Sequence, residues 1–314
     1  MRGRRYMRHL KFNKLISRRC FMGGVAALGA ATIFGAEKKH YQHSIGDGQL
    51  SPLFTLIKDN SVVRTDRAET IVPWWSFTKT VIAAAALVLV RDEKLALDAS
   101  LPGKPYTLRQ LLQHRSGLPD YGGLPEYHEA VAGGEEPWSR AVFLKKANAD
   151  KLLFEPGHGW QYSNLGYGLI ADLIEQTTKQ NLNDSLQSLV LNPLAVMKTR
   201  IALESADLKS VFMGDEKDYH PGWVFHGLLV GPLQESALFL HRLMTGTLLT
   251  PLLLDEMRQT HVLDDVPIGE RPWVNPGYAL GLMRGPITGG LMLEGHSGEG
   301  PGSERKKWTE KKVD

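Results

Sequence analysis

The residues best suited to chemistry lie in the stretch WWSFTKT, where Ser76 and Lys79 stand three positions apart before an apolar run. At helical spacing their side chains project from the same face. A serine hydroxyl needs an adjacent base before it can attack a carbonyl, and a lysine amine can serve when burial lowers its pKa. The N–H groups of a helix start can also stabilise an oxyanion. The pair therefore predicts a nucleophile and its base.

Ser-x-x-Lys is weak as a motif by itself. It recurs at Ser303 and Lys306, in a charged segment with no apolar helix behind it, and we interpret that copy as chance. An isolated Ser-x-x-Lys motif also fits a helix start whose lysine side chain reaches to water. The interpretation of Ser76 and Lys79 therefore depends on companion motifs.

Two companion motifs are present. GWQYSNLGYG places Tyr162 and Asn164 on one side of an extended segment, where Tyr162 can pass a proton and Asn164 can bind a substrate carbonyl. EGHSGEG places His296, Ser297 and Gly298 on a predicted strand, along whose edge a substrate backbone can pair.

The three motifs, in this order, resemble those of the serine β-lactamase and penicillin-binding protein superfamily. The match is to its class C-like branch of DD-peptidases, family VIII esterases and class C β-lactamases. It runs from about residue 52 to Gly302 and includes LLQHRSGLPDY, FEPGHGWQYSN and NPLAVMKTR. The resemblance implies an acyl-enzyme mechanism on a D-amino-acid peptide, a β-lactam or a small ester, without a metal or organic cofactor.

The resemblance also implies a role for each motif residue. Ser76 is acylated, and Lys79 and Tyr162 share its proton, with Tyr162 later helping water to release the acyl group. Asn164 orients the substrate amide. The implied substrate-binding residues of the third motif are His296, Ser297, Gly298 and Glu299.

Within the third motif, His296 and Ser297 are expected to face the carboxylate or leaving group of the substrate. The backbone N–H groups of Ser76 and Glu299 are expected to form the oxyanion hole. His296 stands where β-lactamases of this branch carry lysine, and a neutral imidazole binds a carboxylate more weakly than an ammonium group. This favours a peptidase, amidase or esterase over efficient β-lactam hydrolysis. Glu299 replaces a small residue, and its charge crowds an anionic substrate.

Other conspicuous side chains have structural interpretations. Those expected to pack or to form structural hydrogen bonds are His114, Ser116, His220, Trp223 and His226. For Trp74, Trp75 and Tyr121, a place along the cleft and a place in the core both remain open. The apolar run Ala83–Val90 is predicted to be core.

The elements that position the motifs follow from the hydrophobic pattern. SPLFTLIKDNSVVRTD predicts two strands around Asp59 and Asn60, and a helix runs from Thr78 to about Asp92. GYALGLMRG and GGLMLEGHSG predict late strands. We therefore expect an α+β sandwich, with an antiparallel sheet built from both ends of the chain, flanked by helices, and a mostly helical subdomain at about 101–210.

The N-terminal segment has the layout of an export signal. Residues 1–36 hold eight Lys or Arg and no acid, followed by VAALGAATIFGA, with a candidate cleavage point near Ala36. Arg18 and Arg19 resemble a twin-arginine signal. We expect a periplasmic or secreted protein with no stable membrane span after signal removal. The alternative is a basic, disordered leader. Cys20 lies in this segment, so the mature chain would be free of cysteine.

The formal net charge of +3 hides an acidic body, because the basic excess lies at the two ends of the chain. This argues against nucleic acid and leaves a small-molecule or peptide substrate as the expected partner. We divide the chain into the export segment, a hydrolase domain at 37–302 and an aberrant tail at 303–314. Eight of the last twelve residues are charged, a composition that favours neither a buried strand nor a covering helix. Part of the sheet and its covering helix are therefore expected to be missing, leaving the strand of His296 without a neighbour.

Two other functions remain open. One is a truncated, catalytically impaired pseudo-enzyme or binding protein with the same cleft. The other is an α/β-hydrolase whose nucleophile elbow is GHSGEG, although Glu299 occupies the place of the last glycine. A zinc peptidase is disfavoured, because the sequence lacks His-Glu-x-x-His.

Overall fold

The computed structural model describes residues 53–213, 218–246, 248–264 and 273–301, together with the backbone of 303–312. The predicted export segment at 1–36 lies outside the described residues. Within the described part of the chain, no helix is both long and apolar enough to cross a membrane.

The helices are α1 Thr78–Arg91, α2 Leu108–Leu112, α3 Pro125–Ala132, α4 Arg140–Lys146, α5 Asn164–Thr178, α6 Leu182–Leu186, α7 Ser205–Leu208, α8 Leu233–Thr245 and α9 Pro251–Arg258. The strands are β1 Phe54–Lys58, β2 Ser61–Asp66, β3 Ile71–Pro73, β4 Arg200–Ala202, β5 Leu228–Pro232, β6 His261–Val262, β7 Gly277–Tyr278, β8 Met283–Pro286, β9 Leu291–Gly300 and β10 Ser303–Lys312. Short 3-10 turns span Trp75–Phe77 and Pro221–Trp223, and a π-helical turn spans Gln187–Leu191.

Helix α1 lies at the centre of the core. Every residue from Thr78 to Leu89 is buried, and Val90 is partly buried. Alanine has the highest helix propensity, and its small side chain lets neighbouring elements approach closely. The loop after β7 uses this space: a β-carbon added at Gly281 would lie 2.3 Å from Ala83 Cβ. The predicted helix and the predicted core run are confirmed.

Helix α5 begins inside the second motif. Ser163 caps this helix by accepting a hydrogen bond from Gly166 N at 3.2 Å. Its hydroxyl donates to Pro119 O at 2.7 Å, which ties the helix start to the loop after α2. The cap holds Tyr162 and Asn164, on either side of Ser163, in a fixed relation to the helix.

The strands form three antiparallel sheets, with orders β1-β2, β3-β5-β4 and β10-β9-β8-β7-β6. The α+β class with antiparallel strands flanked by helices is confirmed. Among the described residues no ladder joins the N-terminal strands to the five-stranded sheet, so this part of the chain holds three separate sheets where a single sheet from both chain ends was expected. The turn at Asp59 and Asn60 pairs β1 with β2 locally, and α8 lies close to both β1 and β10.

The charged C-terminal segment extends the five-stranded sheet. β10 pairs with β9 over ten residues, from Ser303 opposite Gly300 to Lys312 opposite Leu291. The expectation that the strand of His296 lacks a neighbour is therefore wrong. Composition misled here because the bonds of a ladder come from backbone groups, and charged side chains are common on edge strands.

Candidate active site

Ser76 and Lys79 are brought together at the start of α1. Ser76 lies in the 3-10 turn Trp75–Phe77, Lys79 is the second helical residue, and Lys79 Nζ donates to Ser76 Oγ at 2.8 Å. The turn holds Trp75 at a φ of 44°, a left-handed conformation. Such a conformation costs on the order of 1–3 kcal/mol at a residue with a side chain, and it often occurs at functional sites. Ser76 is partly exposed, whereas Lys79 is fully buried.

The surroundings of Lys79 favour the neutral amine. Its Nζ lies 3.2 Å from His226 Nε2 and 5.0 Å from the centre of the Tyr162 ring. Burial lowers the pKa of Lys79 well below its ordinary value, and the charge of Asp120 opposes this shift. A lysine with a lowered pKa can accept the proton of the adjacent serine.

Tyr162 lies over the Ser76–Lys79 pair. Burial raises the pKa of its phenol, and a hydrogen bond with the Ser76 side chain opposes that shift. Its ring stacks 4.3 Å from the ring of His114. Because its pKa is raised, Tyr162 is a neutral phenol near pH 7 and is suited to donate a proton.

Asn164 is held by a carboxylate that the sequence reasoning did not identify. Its Nδ2 donates to Asp120 Oδ2 at 3.1 Å and its backbone N donates to Asp120 Oδ1 at 2.7 Å. Gly122 N also donates to this carboxylate, at 3.1 Å. Burial raises the pKa of Asp120, while these hydrogen bonds and the charge of Lys79 oppose the shift. The only sequence signal was its place in the family-like signature LLQHRSGLPDY.

His296 does not face the cleft. It is fully buried, and its Nε2 lies 2.9 Å from the hydroxyl of Tyr278. Burial, and then the charge of Lys79, lower the pKa of His296 to about 3, so the imidazole is neutral. The expected contact between His296 and a substrate carboxylate is therefore wrong for this structure. Side chains of a strand alternate between its faces, and the sequence alone did not show which face of β9 is buried.

The other residues of the third motif lie where β9 crosses the nucleophile turn. A β-carbon added at Gly298 would lie 2.7 Å from Trp74 O and 3.0 Å from Ser76 N. Glycine at 298 thus lets the strand reach the backbone of Ser76. Ser297 is partly exposed, with its Oγ 3.6 Å from Met283 Sδ, and Glu299 is exposed at the rim.

Ser297 lies within β9 and not at a turn between a strand and a helix. A nucleophile elbow requires such a turn. The α/β-hydrolase alternative is therefore contradicted.

A cleft of about 110 Å³ opens in front of Ser76. Its lining residues are Trp75, Ser76, Tyr121, Gly122, Tyr127, Asn164, Tyr219, Trp223, Val224, His226, Glu299, Gly300 and Pro301. Five of them are Trp or Tyr, so the lining combines aromatic rings with polar groups. Trp75 meets Tyr219 edge to face, with ring centres 5.6 Å apart.

The structure separates the three aromatic residues whose place the sequence left open, and it shows the surroundings of the histidines. Trp74 is fully buried in the core between Phe77 and Phe239, whereas Trp75 and Tyr121 line the cleft. The side chains whose structural roles are confirmed are His114, which accepts from Ser163 N at 3.1 Å, Ser116, which is buried in its turn, and His220, which accepts from Gly222 N at 3.0 Å.

Trp223 and His226 are expected from the sequence to pack or to form structural hydrogen bonds, and the structure places both at the cleft. His226 Nε2 reaches Lys79 Nζ across 147 positions of sequence. Sequence reasoning missed this contact because no motif spacing links the two residues, and only the long-range fold brings them together.

Comparison with known proteins agrees with the fold and with the family resemblance. A penicillin-binding protein of Bacillus subtilis (strain 168) is 29% identical over 206 residues, 62% of this chain and 41% of that protein. An esterase of Burkholderia gladioli, EstB, is 31% identical over 160 residues, 45% of this chain and 41% of that protein. The chain thus matches less than half the length of these curated relatives.

Among solved structures, the D-amino acid amidase from Ochrobactrum anthropi SV3 complexed with L-phenylalanine amide matches with a TM-score of 0.64 and 26% identity. The match covers 76% of this chain and 72% of the amidase. The sequence model of the Beta-lactamase family spans residues 29–305, which include all three motifs. With this match over most of its length, the chain belongs to the β-lactamase family.

Proposed function

We propose that this chain is a serine hydrolase that forms an acyl-enzyme at Ser76. The observation that carries the proposal is the 2.8 Å hydrogen bond between Lys79 Nζ and Ser76 Oγ, together with the complete burial of that amine. Burial lowers the pKa of Lys79, so that a neutral amine is available to take the serine proton.

In this mechanism Ser76 Oγ bonds to the carbonyl carbon while its proton passes to Lys79. The backbone N–H groups of Ser76 and Glu299 hold the oxyanion, each contributing roughly 3–4 kcal/mol in comparable sites. When the bond to the leaving group breaks, Tyr162 donates a proton to that group and regains one from Lys79. Water then attacks the acyl carbon and gives its proton to Lys79 through Tyr162. Lys79 then returns that proton to Ser76 Oγ as the bond between Oγ and the acyl carbon breaks, which releases the acid and restores the serine.

The cleft favours a small amide or ester without a carboxylate. None of the described residues that line it is Lys or Arg, whereas Glu299 lines the rim and Asp120 lies behind Asn164. An anionic substrate would lie close to these acids, and the described lining residues offer it no lysine or arginine. The named substrate classes of the similar esterase and D-amino acid amidase fit this chemistry. We therefore infer that the substrate is a small ester or an amino-acid amide.

Covalent labelling tests the proposal. The protein is incubated with a fluorophosphonate and, separately, with a fluorescent penicillin, and adducts are detected by intact mass. We expect a fluorophosphonate adduct on the wild type, none on Ser76→Ala, and an adduct still at Ser76 in the matched variant Ser297→Ala. Equal labelling of wild type and Ser76→Ala would contradict the assignment of Ser76 as the nucleophile.

Turnover separates the hydrolase from an impaired relative. Short-chain p-nitrophenyl esters, amino-acid p-nitroanilides of both configurations, a D-Ala-D-Ala peptide and nitrocefin form the panel. We expect the esters or anilides to be hydrolysed faster than the two anionic substrates. A Ser76 adduct without turnover of any substrate would support the alternative of a binding protein with the same cleft.

We also propose that residues 1–36 export the protein through the twin-arginine route, on the strength of Arg18 and Arg19 before an apolar run. A periplasmic reporter fused after residue 36 should be exported. Export of the reporter should be lost when both arginines are replaced by lysine. Equal export of the two fusions would contradict the proposed route.

A further inference from the structure

Lys79 has an unusual set of partners for a buried lysine. Among the described residues it forms no ion pair, and its Nζ hydrogen bonds run to Ser76 Oγ at 2.8 Å and His226 Nε2 at 3.2 Å. His226 is only 2% exposed, and it lies between the 3-10 turn Pro221–Trp223 and strand β5. A buried amine without a carboxylate beside it depends on neutral acceptors for its N–H groups.

Another histidine of the same loop shows what a purely structural role looks like. His220 accepts a hydrogen bond from Gly222 N, two residues away, and so caps its own turn. The Nε2 of His226 instead contacts the amine of Lys79 in α1, which is far away in sequence. The contact therefore serves the Ser76–Lys79 pair and not the local turn.

The direction of this hydrogen bond follows from the groups. An Nε2 that accepts from a Lys79 N–H carries no proton, so the role assigned to His226 here is that of the tautomer with its proton on Nδ1. Burial, and then the charge of Lys79, lower the pKa of His226 well below its ordinary value, which keeps the ring neutral. A neutral amine has two N–H groups and one lone pair. With one N–H directed at His226, the neutral amine can turn its lone pair to Ser76, whose hydroxyl then donates to Nζ across the 2.8 Å contact instead of accepting from it.

We propose that His226 is a positioning residue, which accepts a hydrogen bond from Lys79 and directs the lone pair of the amine at Ser76 without adding a negative charge. This inference rests on the proposed function of the Ser76–Lys79 pair. The lack of charge is the essential property. A carboxylate at the same place would bind the amine more strongly, but it would hold the amine protonated and unable to act as a base.

Other titratable groups also face the pair and set the background for any change in pH dependence. Those coupled to Lys79 or His226 through charge, or lying over the amine with their rings, are Asp120, His114, His296, Tyr162 and Tyr167. None of them is altered in the test below, so changes in the profile report on residue 226.

The test compares three replacements of His226 through the rate of fluorophosphonate labelling at Ser76 as a function of pH. In His226→Gln the amide oxygen can accept from Lys79, and we expect a labelling rate within about threefold of the wild type with the same acidic limb. In His226→Leu the lone pair loses its orientation, and the plateau should fall about 10- to 100-fold. Its acidic limb should move down by about half a pH unit, because the acceptor stabilises the ammonium form more than the amine.

In His226→Glu the acidic limb should move in the opposite direction, up by about one pH unit or more, because the carboxylate stabilises the ammonium form. His220→Leu is the matched control: it loses a structural hydrogen bond of the same loop and should keep the limb of the wild type. Melting temperatures of all variants identify any that fail to fold. If His226→Leu fails to fold, His226→Gln and His226→Glu decide the question.

The two levels of the proposal fail in different ways. No labelling of the wild type at Ser76 would remove the proposed function itself. Labelling of the wild type together with an unchanged limb in the folded Leu, Gln and Glu variants would overturn the role of His226 alone. A rate loss in His226→Leu that tracks its melting temperature, with no shift of the limb, would reduce His226 to a packing residue.

Discussion

Replacing Gly298 by alanine tests how closely strand β9 must approach the turn that carries Ser76. The new β-carbon would lie 2.7 Å from Trp74 O, 2.8 Å from Trp75 Cβ and 3.0 Å from Ser76 N. Carbon atoms in ordinary contact are about 3.5–4.0 Å apart, so the strand and the turn must separate by about 0.5–1 Å. A misplacement of about 1 Å at a reacting centre costs up to about 100-fold in rate. We therefore expect kcat to fall about 10- to 100-fold, which corresponds to about 1.4–2.8 kcal/mol.

The assay pairs this variant with Gly123→Ala, because a β-carbon added at Gly123 meets no atom within 4 Å. Steady-state hydrolysis of the best p-nitrophenyl ester gives kcat, and urea unfolding gives stability. Overpacking should also lower the stability of Gly298→Ala by about 1–3 kcal/mol, while Gly123→Ala stays close to the wild type in both measurements. A folded Gly298→Ala with the kcat of the wild type would refute the reasoning, because it would show that the spacing of strand and turn does not control catalysis.

Two further predictions concern charge around the amine. Lys79→Met should abolish labelling at Ser76 yet stabilise the protein near neutral pH. Because the pKa of Lys79 is lowered in the folded state, the stability of the wild type relative to this variant should rise with pH, from the lowered value toward the ordinary lysine pKa near 10.5. Urea unfolding across pH 6–10.5 checks the sign, and a constant difference would contradict it. Asp120→Asn removes a charged acceptor of Asn164 and the charge that raises the pKa of Lys79. The rate should fall at least about tenfold, since such hydrogen bonds contribute about 1.5–3 kcal/mol, and the acidic limb should move to lower pH. A limb that moves upward would contradict the assigned charge of Asp120.

The parts of the site that sequence could predict are those in which chemistry and local geometry coincide. Ser76 and Lys79 share one face of a helix start, so their spacing predicts their contact, and the structure forms it at 2.8 Å. His226 and Asp120 could not be found in this way. They come from loops, and each reaches the site through a contact that depends on the packing of whole elements around α1.

The errors about the third motif share one cause. The sequence indicated a strand at His296 but not which of its faces would be buried or what would pair with its edges. A shift of one residue exchanges the two faces of a strand, so the exposure of His296 could not be fixed from sequence alone. Ladder pairing is made by backbone groups, so the charged composition of β10 did not prevent its pairing with β9.

The balance of charge around Lys79 leads to a last prediction. Burial is the largest cause of the low pKa of Lys79, and the opposing charge is that of Asp120. The neighbouring histidines His114, His226 and His296 have lowered pKa values themselves, so they are neutral and add no repulsion. The basicity of the amine is therefore governed by how completely water is kept away from it.

A bound substrate fills the cleft in front of Ser76 and displaces water from it, which should lower the pKa of Lys79 further. The acidic limb of kcat, which reports the bound complex, should then lie at lower pH than that of kcat/KM, which reports the free enzyme. Larger acyl groups displace more water and should widen the separation. A limb of kcat at or above that of kcat/KM for every ester would contradict the argument that exclusion of water controls the pKa of Lys79.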